Sequence, residues 1–503
     1  MKNIHLPTPA ERRVCAMQAA KLRRYLREVV LPFNEHYRRV FAELGLEPRD
    51  LRTLEDLRHL PFTEKEDLIE NPRAFVIIPD KKILSRRPGN ILRALVLGRK
   101  KVARELEREY RPIFVTSTTG RSSDPVPFTY SAHDLDRLAD TGERMFEVCG
   151  AEREMKILNM FPFAPHLAFW QAFFGGTEFG VFTLSSGGGK VMGTGGQLRF
   201  IRKLQPEVLI GMPTFVYHVL HEAAEQGVRN ENLKRLVLGG EKVPNGMRLK
   251  LRDLAFELGA PDIGVVSTYG FTEAKMAFGE CPHPVGSEPP GFHLYPDLGI
   301  MEIVDPDTGA PLPADTPGEI VFTPLDARGT VALRYRTGDL IDGGLTYAPC
   351  PLCGREVPRL LGNISRRSCV QSLQLDKLKG TLVDFNQLEH ILDDLPGVGA
   401  WQIELRKQND DPLELDEIIL HIAKLGGEDD EQLVHEIDTR FADIEVHPNR
   451  VLFHDAGELR RLQGVGAELK EQRLVDHRPS TMKAAPASHS REEVNETRAP
   501  GRH

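Results

Sequence analysis

Cysteine, tryptophan and long apolar runs are scarce in this chain. It has 503 residues but only six cysteines and two tryptophans. So few cysteines in so long a chain exclude the disulfide framework of a small secreted domain, and a close pair of cysteines is then more typical of a metal site. No run of about 18 consecutive apolar residues occurs, which excludes a helix that spans a membrane.

An excess of positive charge is also absent. The chain carries 65 Lys and Arg residues against 73 Asp and Glu residues, a formal net charge of −8, whereas a nucleic-acid binder more often presents a basic face. Residues 1–5 lack the apolar core of a secretory signal peptide. We therefore expect a cytoplasmic protein that binds neither nucleic acid nor a membrane.

The spacing of apolar residues predicts the secondary structure. Residues 9–45 have helical spacing and predict two helices, and the Arg- and Lys-rich residues 85–110 are interpreted as one solvated helix rather than a binding surface. After residue 112, strand-like segments alternate with helical ones. This alternation predicts an α/β fold of mostly parallel sheets covered by helices, with ligands at the carboxyl ends of the strands.

The pattern also predicts the domain organisation. Residues 1–362 form the large N-terminal domain, in which hairpin signals indicate a small β-subdomain at about 291–362. Residues 363–478 mix two helices with strands, which is typical of a small α+β C-terminal domain. Residues 479–503 have few apolar residues and predict a disordered tail.

A loop rich in hydroxyl side chains follows the first predicted strand. It contains Thr116, Ser117, Thr118, Thr119 and Gly120. Such a loop can turn successive N–H groups and hydroxyls toward one phosphate, and glycine takes a positive φ without steric cost. The alternative is an exposed turn, because turns favour the same residues. The loop is not a Walker motif, since no Gly-Lys-Ser/Thr follows at the required spacing.

Three further motifs follow the hydroxyl loop in order. They are Ser-Thr-Tyr-Gly-Phe-Thr-Glu at 267–273, Tyr-Arg-Thr-Gly-Asp at 335–339 and Cys-Pro-Leu-Cys-Gly-Arg at 350–355. Over about residues 1–478 the chain thereby resembles the adenylate-forming superfamily of acyl-CoA synthetases, and more narrowly the phenylacetate–CoA ligase family. The resemblance implies a mobile C-terminal lid domain. It also implies activation of an aromatic or similar apolar carboxylic acid by ATP and Mg²⁺, followed by transfer of the acyl group to CoA.

The resemblance assigns roles to residues of these motifs. Thr272 would contact the α-phosphate, Glu273 would hold Mg²⁺, and Asp339 would accept the two ribose hydroxyls. Each has an ordinary alternative, such as a helix first-turn acid for Glu273 or a turn aspartate for Asp339. The residues implied around ATP and AMP are Thr116, Ser117, Thr118, Thr119, Gly120, Gly240, Glu241, Tyr269, Gly270, Asp339 and Arg367. Ser117 stands where the family has glycine.

Other segments suggest the acyl pocket and a metal site. His166, Phe163 and Pro213 could line the pocket, although a helix face packed in the core is the alternative for His166 and Phe163. Cys350 and Cys353 have zinc-knuckle spacing. The resemblance supplies Cys281 and His293 as further ligands of a structural Zn²⁺, with His283 as a substitute, while two reduced cysteines in a turn are the alternative.

The C-terminal domain should carry the adenylation lysine. Aligning residues 473–476 with the family's ending places Lys470 there, although Leu469 replaces the usual glycine. The family hinge has two aspartates, for which Cys369 and Val370 stand here, so rotation of the lid and the thioester step are open. The rival hypotheses are transfer to a carrier-protein thiol or other acceptor and a degenerate nucleotide-binding homologue without catalysis. A homodimer is an open alternative for the assembly.

Overall fold

The secondary structure is a mixture of helices and strands. The computed structural model describes residues 8–118, 125–367, 370–375, 378–410, 414–427, 429–444, 446–465 and 471–478. Its α-helices are α1 (Pro9–Tyr25), α2 (Leu31–Phe33), α3 (Glu35–Leu44), α4 (Lys65–Glu70), α5 (Lys81–Arg86), α6 (Pro88–Leu97), α7 (Arg99–Tyr110), α8 (Ala132–Val148), α9 (Leu167–Phe179), α10 (Gly188–Leu204), α11 (Pro213–Glu225), α12 (Asn245–Glu257), α13 (Phe385–Asp394), α14 (Asp430–Ala442) and α15 (Ala456–Leu462). Its strands are β1 (Phe114–Ser117), β2 (Pro127–Tyr130), β3 (Lys156–Asn159), β4 (Phe182–Ser185), β5 (Val208–Gly211), β6 (Arg235–Gly239), β7 (Gly264–Phe271), β8 (Met276–Gly279), β9 (Phe292–His293), β10 (Gly299–Val304), β11 (Gly318–Pro324), β12 (Tyr335–Ile341), β13 (Leu345–Thr346), β14 (Arg359–Leu360), β15 (Ile364–Arg366), β16 (Val370–Leu375), β17 (Leu378–Asp384), β18 (Val398–Lys407), β19 (Asp416–Lys424), β20 (Arg450–His454) and β21 (Leu474–Asp476).

The N-terminal helices follow the expected helix signals, with one correction. Thr8 caps α1 with a capping box, and Gly45 ends α3 in the left-handed region. The expectation of one helix over residues 85–110 is wrong, because this segment contains the end of α5 and all of α6 and α7. Pro88 begins a new helix since proline suits a first turn, and Gly98, at φ 87°, ends it.

A nine-stranded sheet forms the centre of the fold. Its order is β13-β14-β9-β8-β7-β6-β5-β3-β4. Strands β3 to β7 pair in parallel, while β8, β9, β13 and β14 extend the sheet by antiparallel pairing. The parallel strands are buried apolar runs, as in β5, because helices cover both faces of such sheets. The predicted α/β class is confirmed.

A second, antiparallel sheet contains β10, β11, β12 and β15 in that order. The expected hairpin is present, since β10 pairs with β11 from Gly299 to Val304. The segment 291–362 nevertheless contributes to both sheets, because β9, β13 and β14 belong to the nine-stranded one. Strand β15, beyond residue 362, pairs with β12 through Asp339 and Arg366. The domain boundaries themselves remain predictions.

The last described part of the chain builds a separate sheet of order β20-β19-β18-β21, against which α13 and α14 pack around the buried Trp401. This unit docks on α11 and α12. Lys250 Nζ donates to the Asp393 carbonyl over 2.9 Å, and the Gly246 N–H donates to Asp394 over 3.0 Å. A Cβ at Gly246 would lie 2.1 Å from the Asp393 carbonyl oxygen, so only glycine permits this approach. In the described ranges, no helix combines the length and apolar character needed to cross a bilayer.

Candidate active site

The predicted motifs meet where the parallel strands end. Gly211 ends β5, Gly239 ends β6, and Tyr269 and Gly270 lie near the end of β7. Strands β5, β6 and β7 are neighbours in one sheet, so their carboxyl ends share one edge. The tip of β12, from the second sheet, reaches the same edge because its Asp339 contacts Tyr269. This edge is where ligands bind in open α/β sheets.

The hydroxyl loop connects the antiparallel strands β1 and β2. Thr116 is buried and its hydroxyl donates to Tyr130 Oη over 3.1 Å. The Thr118 hydroxyl accepts from the Val126 N–H over 3.0 Å and closes the base of the loop. The Ser117 N–H donates to the Pro165 carbonyl over 2.6 Å. The hydroxyls of Thr116 and Thr118 therefore bond β1 and the residue after it to β2 and Val126, while Thr119 and Gly120 lie outside the described residues.

Asp339 has a fixed and buried carboxylate. The Tyr269 hydroxyl donates to Oδ2 over 2.8 Å, and Arg366 Nε lies 3.0 Å from Oδ1. The N–H of Asp339 donates to the Thr337 hydroxyl over 3.0 Å. Burial, and then the negative charge of Asp339, raise the pKa of Tyr269 well above its ordinary value, so Tyr269 stays a donor. Both carboxylate oxygens are therefore held in one orientation at the strand edge.

The second carboxylate of the site is Glu273, in the short turn after β7. Tyr335 donates its hydroxyl to Oε1 over 2.7 Å. Burial raises the pKa of Glu273, while Tyr335 and the nearby positive charge of Arg366 oppose that rise. A carboxylate whose ionised form is disfavoured by burial gains from a bound cation, and carboxylate oxygen is a preferred ligand of Mg²⁺. Thr272 lies half-buried beside it.

A buried lysine joins this turn to the hydroxyl-loop hairpin. Lys275 adopts a left-handed conformation at φ 58°, and its ammonium donates to the Thr129 carbonyl over 2.8 Å. The ammonium also lies 3.3 Å from Asp134 and 4.7 Å from the centre of the Tyr130 ring. Burial lowers the pKa of Lys275, and Asp134 counteracts that effect. The positions of Thr272 and Glu273 are thus coupled to strand β2.

The glycine motifs have structural explanations as well. A Cβ at Gly270 would lie 2.6 Å from the Cβ of Ala277 on β8, so strand packing requires glycine there. Gly240 has φ 84°, which favours glycine at the turn after β6. The next residue, Glu241, accepts hydrogen bonds from the Thr214 hydroxyl and from the Thr214 N–H, the latter over 3.3 Å. These positions shape the edge of the site whatever ligand they receive.

Glu471 of the C-terminal unit reaches this edge from the other side. It is buried, and its pKa is raised to about 8 by burial and then by the negative charge of Glu241, while Thr214 and Arg473 oppose the rise. Arg473 pairs with Asp393 at 3.1 Å and stacks on the Trp401 ring at 4.7 Å. Residues just before β21 therefore pack against the loop after β6.

Aromatic side chains cluster in the segment between β3 and α9 and in the first turn of α9. Phe163 is exposed, and its ring centre lies 5.2 Å from that of Phe169 and 5.7 Å from that of Trp170. His166 Nδ1 donates to the Ser117 carbonyl over 3.1 Å, and its buried Nε2 has no hydrogen-bond partner among the described residues. Pro213 is buried at the first turn of α11. His166 thus contacts the hydroxyl loop, whereas Pro213 lies next to Thr214, the partner of Glu241.

Arg367, which the resemblance implied around ATP and AMP, and its neighbour Arg366 contact different carboxylates. Arg367 lies 3.1 Å from Asp307 and 3.5 Å from Glu319, and these acids, rather than Asp339, are its partners. Arg366 contacts Asp339. Burial opposes the charged guanidinium, but the negative charges of Asp339 and Glu273 outweigh this effect and raise the pKa of Arg366. In strand β15 successive side chains point to opposite faces, so a shift of one residue exchanges the two roles.

Four metal-binding side chains form one cluster. Ligand atoms of Cys281, His293, Cys350 and Cys353 all lie within 4.8 Å of one another. The sulfurs of Cys281 and Cys350 are 3.7 Å apart, and Cys353 Sγ is 3.3 Å from His293 Nε2. The Nδ1 of His293 donates to the Gly279 carbonyl over 3.2 Å, which leaves Nε2 to face the cluster.

The cluster fits a tetrahedral zinc site. Zn–S bonds of about 2.3 Å imply sulfur–sulfur separations of about 3.8 Å in a tetrahedron. Three thiols and one imidazole are also a common donor set for structural zinc. His283 turns away, since its Nδ1 donates to the Cys281 carbonyl over 3.1 Å and its Nε2 lies 3.4 Å from Arg248. Of the two histidines that the sequence offered as a ligand, His293 therefore lies in the cluster and His283 does not.

Three residues of the site edge were not anticipated from the sequence. Arg366, Lys275 and Glu471 are each adjacent to, or two residues from, a residue that a motif did indicate. The position of Arg366 depends on the register of its strand, and that of Lys275 on a left-handed residue after a turn. The position of Glu471 depends on the docking of the C-terminal unit. None of these has a reliable signature in a single sequence.

Comparison with known proteins agrees with the motifs. Residues 141–324 match the family model described as AMP-binding enzyme. The phenylacetate-coenzyme A ligase of Thermus thermophilus is 29% identical over 413 residues, which are 80% of this chain and 80% of that protein. The phenylacetate-coenzyme A ligase of Pseudomonas putida is 27% identical over 307 residues, which are 60% of this chain and 61% of that protein.

A solved structure shows the same fold. It is 2-hydroxyisobutyryl-CoA ligase in the postadenylation state in complex with 2-HIB-AMP, with a TM-score of 0.71, 20% identity and coverage of 95% of both chains. An open conformation of that ligase with 2-HIB-AMP and CoA gives a TM-score of 0.58 and 19% identity, and covers 95% of this chain and 97% of that one. The resemblance found in the sequence is confirmed by these similarities. Motifs, fold and relatives together make the chain similar to the phenylacetate-coenzyme A ligases, and its residues 141–324 match the AMP-binding enzyme model.

Proposed function

We propose that the protein reacts an aromatic carboxylic acid with the α-phosphate of ATP, which forms an acyl-adenylate and releases pyrophosphate, and then transfers the acyl group to the thiol of CoA with release of AMP. The observation that carries the proposal is the presence of two held carboxylates, Asp339 and Glu273, at the carboxyl edge of the sheet, with Arg366 paired to Asp339 and its positive charge acting on Glu273. The sequence relatives that carry the name phenylacetate-coenzyme A ligase support the reaction class and the aromatic acid.

Asp339 is proposed to bind the ribose of ATP. Two carboxylate oxygens can each accept one of two neighbouring hydroxyls, which a single amide or hydroxyl cannot do equally well. Tyr269 and Arg366 already orient both oxygens. Preorganised charge of this kind is most effective in a site that excludes water, and Asp339 is only 6% exposed.

The phosphates are proposed to lie between the hydroxyl loop and the turn after β7. Thr116, Ser117, Thr118, Thr119 and Gly120 form the loop, and Thr272 would donate to the α-phosphate. Glu273 supplies the carboxylate oxygen that Mg²⁺ prefers, and the ion, when bound, neutralises phosphate charge. The bond from Lys275 to the Thr129 carbonyl links the turn after β7 to β2 and supports this placement.

The acid is proposed to bind beside Phe163 and His166. The exposed face of Phe163 and the neighbouring Phe169 and Trp170 offer an aromatic wall, and aromatic rings prefer such edge-to-face neighbours. The Nε2 of His166 is a buried polar atom without a hydrogen-bond partner among the described residues, and it lies on the side of this wall that faces the proposed phosphate site. An apolar ring against Phe163 would direct its carboxylate toward the hydroxyl loop that His166 contacts.

Lys470 is proposed to neutralise the charge that develops on the α-phosphate during adenylation. The residue itself lies outside the described part of the chain, but Glu471, which follows it, is buried beside the charge of Glu241. An ammonium that acts mainly in the transition state raises the rate of that step alone. Lys470→Ala should therefore slow adenylation, whereas acyl-adenylate supplied ready-made should still react with CoA.

The cysteine cluster is proposed to hold a structural Zn²⁺. Cys281 follows β8, His293 lies on β9, and Cys350 and Cys353 lie in the loop between β13 and β14. A metal there would join strands at the antiparallel end of the nine-stranded sheet, near Val148 of α8. The donor set leaves no open position for a substrate, which is typical of a structural site.

The experiment compares thioester formation with phenylacetate, benzoate and straight-chain alkanoates in the presence of ATP, Mg²⁺ and CoA. We expect acyl-CoA and AMP to form, with the highest kcat/KM for the aromatic acids. Thioester formation with short alkanoates alone would exclude the proposed specificity for aromatic acids but would still support the CoA-ligase reaction. If acyl-adenylate forms but no acid tested gives acyl-CoA, the acceptor is instead another group, such as a carrier-protein thiol.

A further inference from the structure

Helix α6 exposes an unusual amount of apolar surface. None of its ten residues is buried, and its exposed aliphatic side chains are Ile91, Leu92, Leu95, Val96 and Leu97. Leu95 is 79% exposed and Val96 is 75% exposed. Exposed apolar side chains grouped in this way, rather than scattered singly, often mark a site of interaction on a soluble protein.

The same region carries a concentrated positive charge. Between residues 81 and 104 there is no Asp or Glu, and the basic residues are Lys81, Lys82, Arg86, Arg87, Arg93, Arg99, Lys100, Lys101 and Arg104. Arg93 pairs with Glu105 at 2.7 Å and Arg87 stacks on Phe33 at 4.9 Å. The others form no ion pair with any described residue. This charge stands out because the whole chain has a net charge of −8.

The apolar side chains share one face of a fixed helix. Ile91, Leu92, Leu95 and Val96 are spaced so that they lie side by side along α6. The amide of Asn90 donates to the Leu84 carbonyl over 2.9 Å and links α6 to α5, and the Arg93–Glu105 pair links it to α7. The helix therefore displays its aliphatic face in a definite direction, with basic residues at both ends.

We propose that α6 and its flanking basic residues dock the protein on an anionic lipid bilayer. A helix of ten residues is too short to span the hydrocarbon core but suits the plane of the interface. Its aliphatic face enters the boundary between headgroups and acyl chains, while the Lys and Arg side chains lie among negatively charged headgroups. Binding of this kind weakens with salt because it depends on exposed charges.

Two observations favour lipid over a protein as the occupant. A second copy of the chain docked through the same face would bring two sets of uncompensated positive charge together. The apolar residues of the patch are also all aliphatic, whereas the centres of protein interfaces are enriched in Tyr, Trp and Met. A bilayer surface accepts aliphatic side chains without shape complementarity and supplies negative charge.

The test measures co-flotation of the full chain with vesicles of phosphatidylcholine alone and of phosphatidylcholine with phosphatidylglycerol. We expect binding to the anionic vesicles only, and its loss in high salt. Leu95→Ser/Val96→Ser should lower the bound fraction about tenfold or more, since two exposed aliphatic groups no longer enter the bilayer. Lys100→Glu/Lys101→Glu should do the same at low salt.

The matched controls are Phe256→Ser and Lys203→Glu, which change an exposed aromatic and an exposed basic residue on other helices. Both should bind vesicles as the unchanged protein does. Unfolding midpoints equal to that of the unchanged protein verify that the variants fold. Absence of binding to anionic vesicles, equal binding to neutral ones, or unaltered binding of Leu95→Ser/Val96→Ser overturns the proposal. If the unchanged protein is a dimer without vesicles and the Leu95→Ser/Val96→Ser variant is a monomer, the face binds a second copy of the chain. That result also overturns the proposal.

Discussion

The hydroxyl of Tyr335 donates to Oε1 of Glu273 over 2.7 Å. Tyr335 is the first residue of β12 in the antiparallel sheet, and Glu273 lies in the turn after β7 in the nine-stranded sheet. One hydrogen bond to a half-buried carboxylate thus joins two sheets at the edge where the nucleotide is proposed to bind. Asp339, four residues beyond Tyr335, makes the corresponding contact with Tyr269.

Tyr335→Phe should reduce adenylation and raise the Mg²⁺ concentration needed for half-maximal rate. Loss of a hydrogen bond to a charged group costs about 1.5–3 kcal/mol, or roughly tenfold to a hundredfold in rate or metal affinity. The measurement is the initial rate of pyrophosphate release as a function of Mg²⁺. Tyr295→Phe is the control, because it removes another buried hydroxyl, which donates to the Thr141 carbonyl. An unchanged Mg²⁺ dependence would show that Glu273 does not bind the metal.

Asp339→Ala should abolish ATP-dependent pyrophosphate release while the chain stays folded. The side chain of Arg366 is 55% exposed, so water can solvate it once its partner is gone. Loss of the ribose acceptor should remove about 1.5–3 kcal/mol or more of nucleotide binding. Asp307→Ala is the control, since Asp307 pairs with Arg367, the residue that follows Arg366. Full activity of Asp339→Ala, measured with the unfolding midpoint, would exclude Asp339 from the site.

Protein purified without chelator should contain about one zinc per chain. Cys350→Ser should lose most of that metal and unfold at a lower temperature, because the loop between β13 and β14 is no longer tied to β9. Cys15→Ser is the matched control, since Cys15 contacts Tyr347 and not the cluster. Elemental analysis and thermal unfolding give the result. Metal-free protein in which all four ligands react freely with an alkylating agent would contradict the assignment.

Glu471→Gln should flatten the pH dependence of stability. Burial and the charge of Glu241 raise the pKa of Glu471 to about 8, so the folded protein holds a proton that the unfolded chain releases above its ordinary pKa of about 4.3. The unchanged protein therefore loses stability as pH rises from about 5 to about 8, and no further above that range.

The measurement is the unfolding midpoint of both proteins across this pH range. We expect the midpoint of the unchanged protein to fall relative to that of Glu471→Gln by roughly 2 °C or more. Glu431→Gln, at an exposed position of α14, should follow the unchanged protein at every pH. Parallel curves for Glu471→Gln and the unchanged protein would mean that Glu471 is not buried beside Glu241 in solution.

The α/β class followed from the sequence because buried parallel strands such as β5 and β6 are short apolar runs between helical patterns. The roles of the motif residues came from the family resemblance. The carboxyl ends of β6 and β7 bring Gly240 and Tyr269 to one edge, whereas Asp339 lies within the antiparallel strand β12. The break of residues 85–110 into separate helices was missed, although Pro88 and Gly98 are the ordinary signals for it.

Other features depend on contacts that a single sequence does not contain. Arg366 rather than Arg367 meets Asp339 because the register of β15 against β12 decides which face each side chain occupies. His293 rather than His283 joins the cysteines because Arg248 and the Cys281 carbonyl hold His283 elsewhere. The Lys470 prediction, like those for Thr119 and Gly120, falls outside the described residues and remains a prediction.

The most direct test of the proposed chemistry is acid-dependent exchange of labelled pyrophosphate into ATP in the absence of CoA. Reversible formation of an acyl-adenylate requires ATP, Mg²⁺ and the acid but no thiol, so exchange isolates the first half-reaction. We predict exchange with phenylacetate or another aromatic acid, none without acid, and none in Asp339→Ala. Absence of exchange with every acid tested, in protein that binds ATP, would contradict the account and leave a nucleotide-binding protein without adenylation activity.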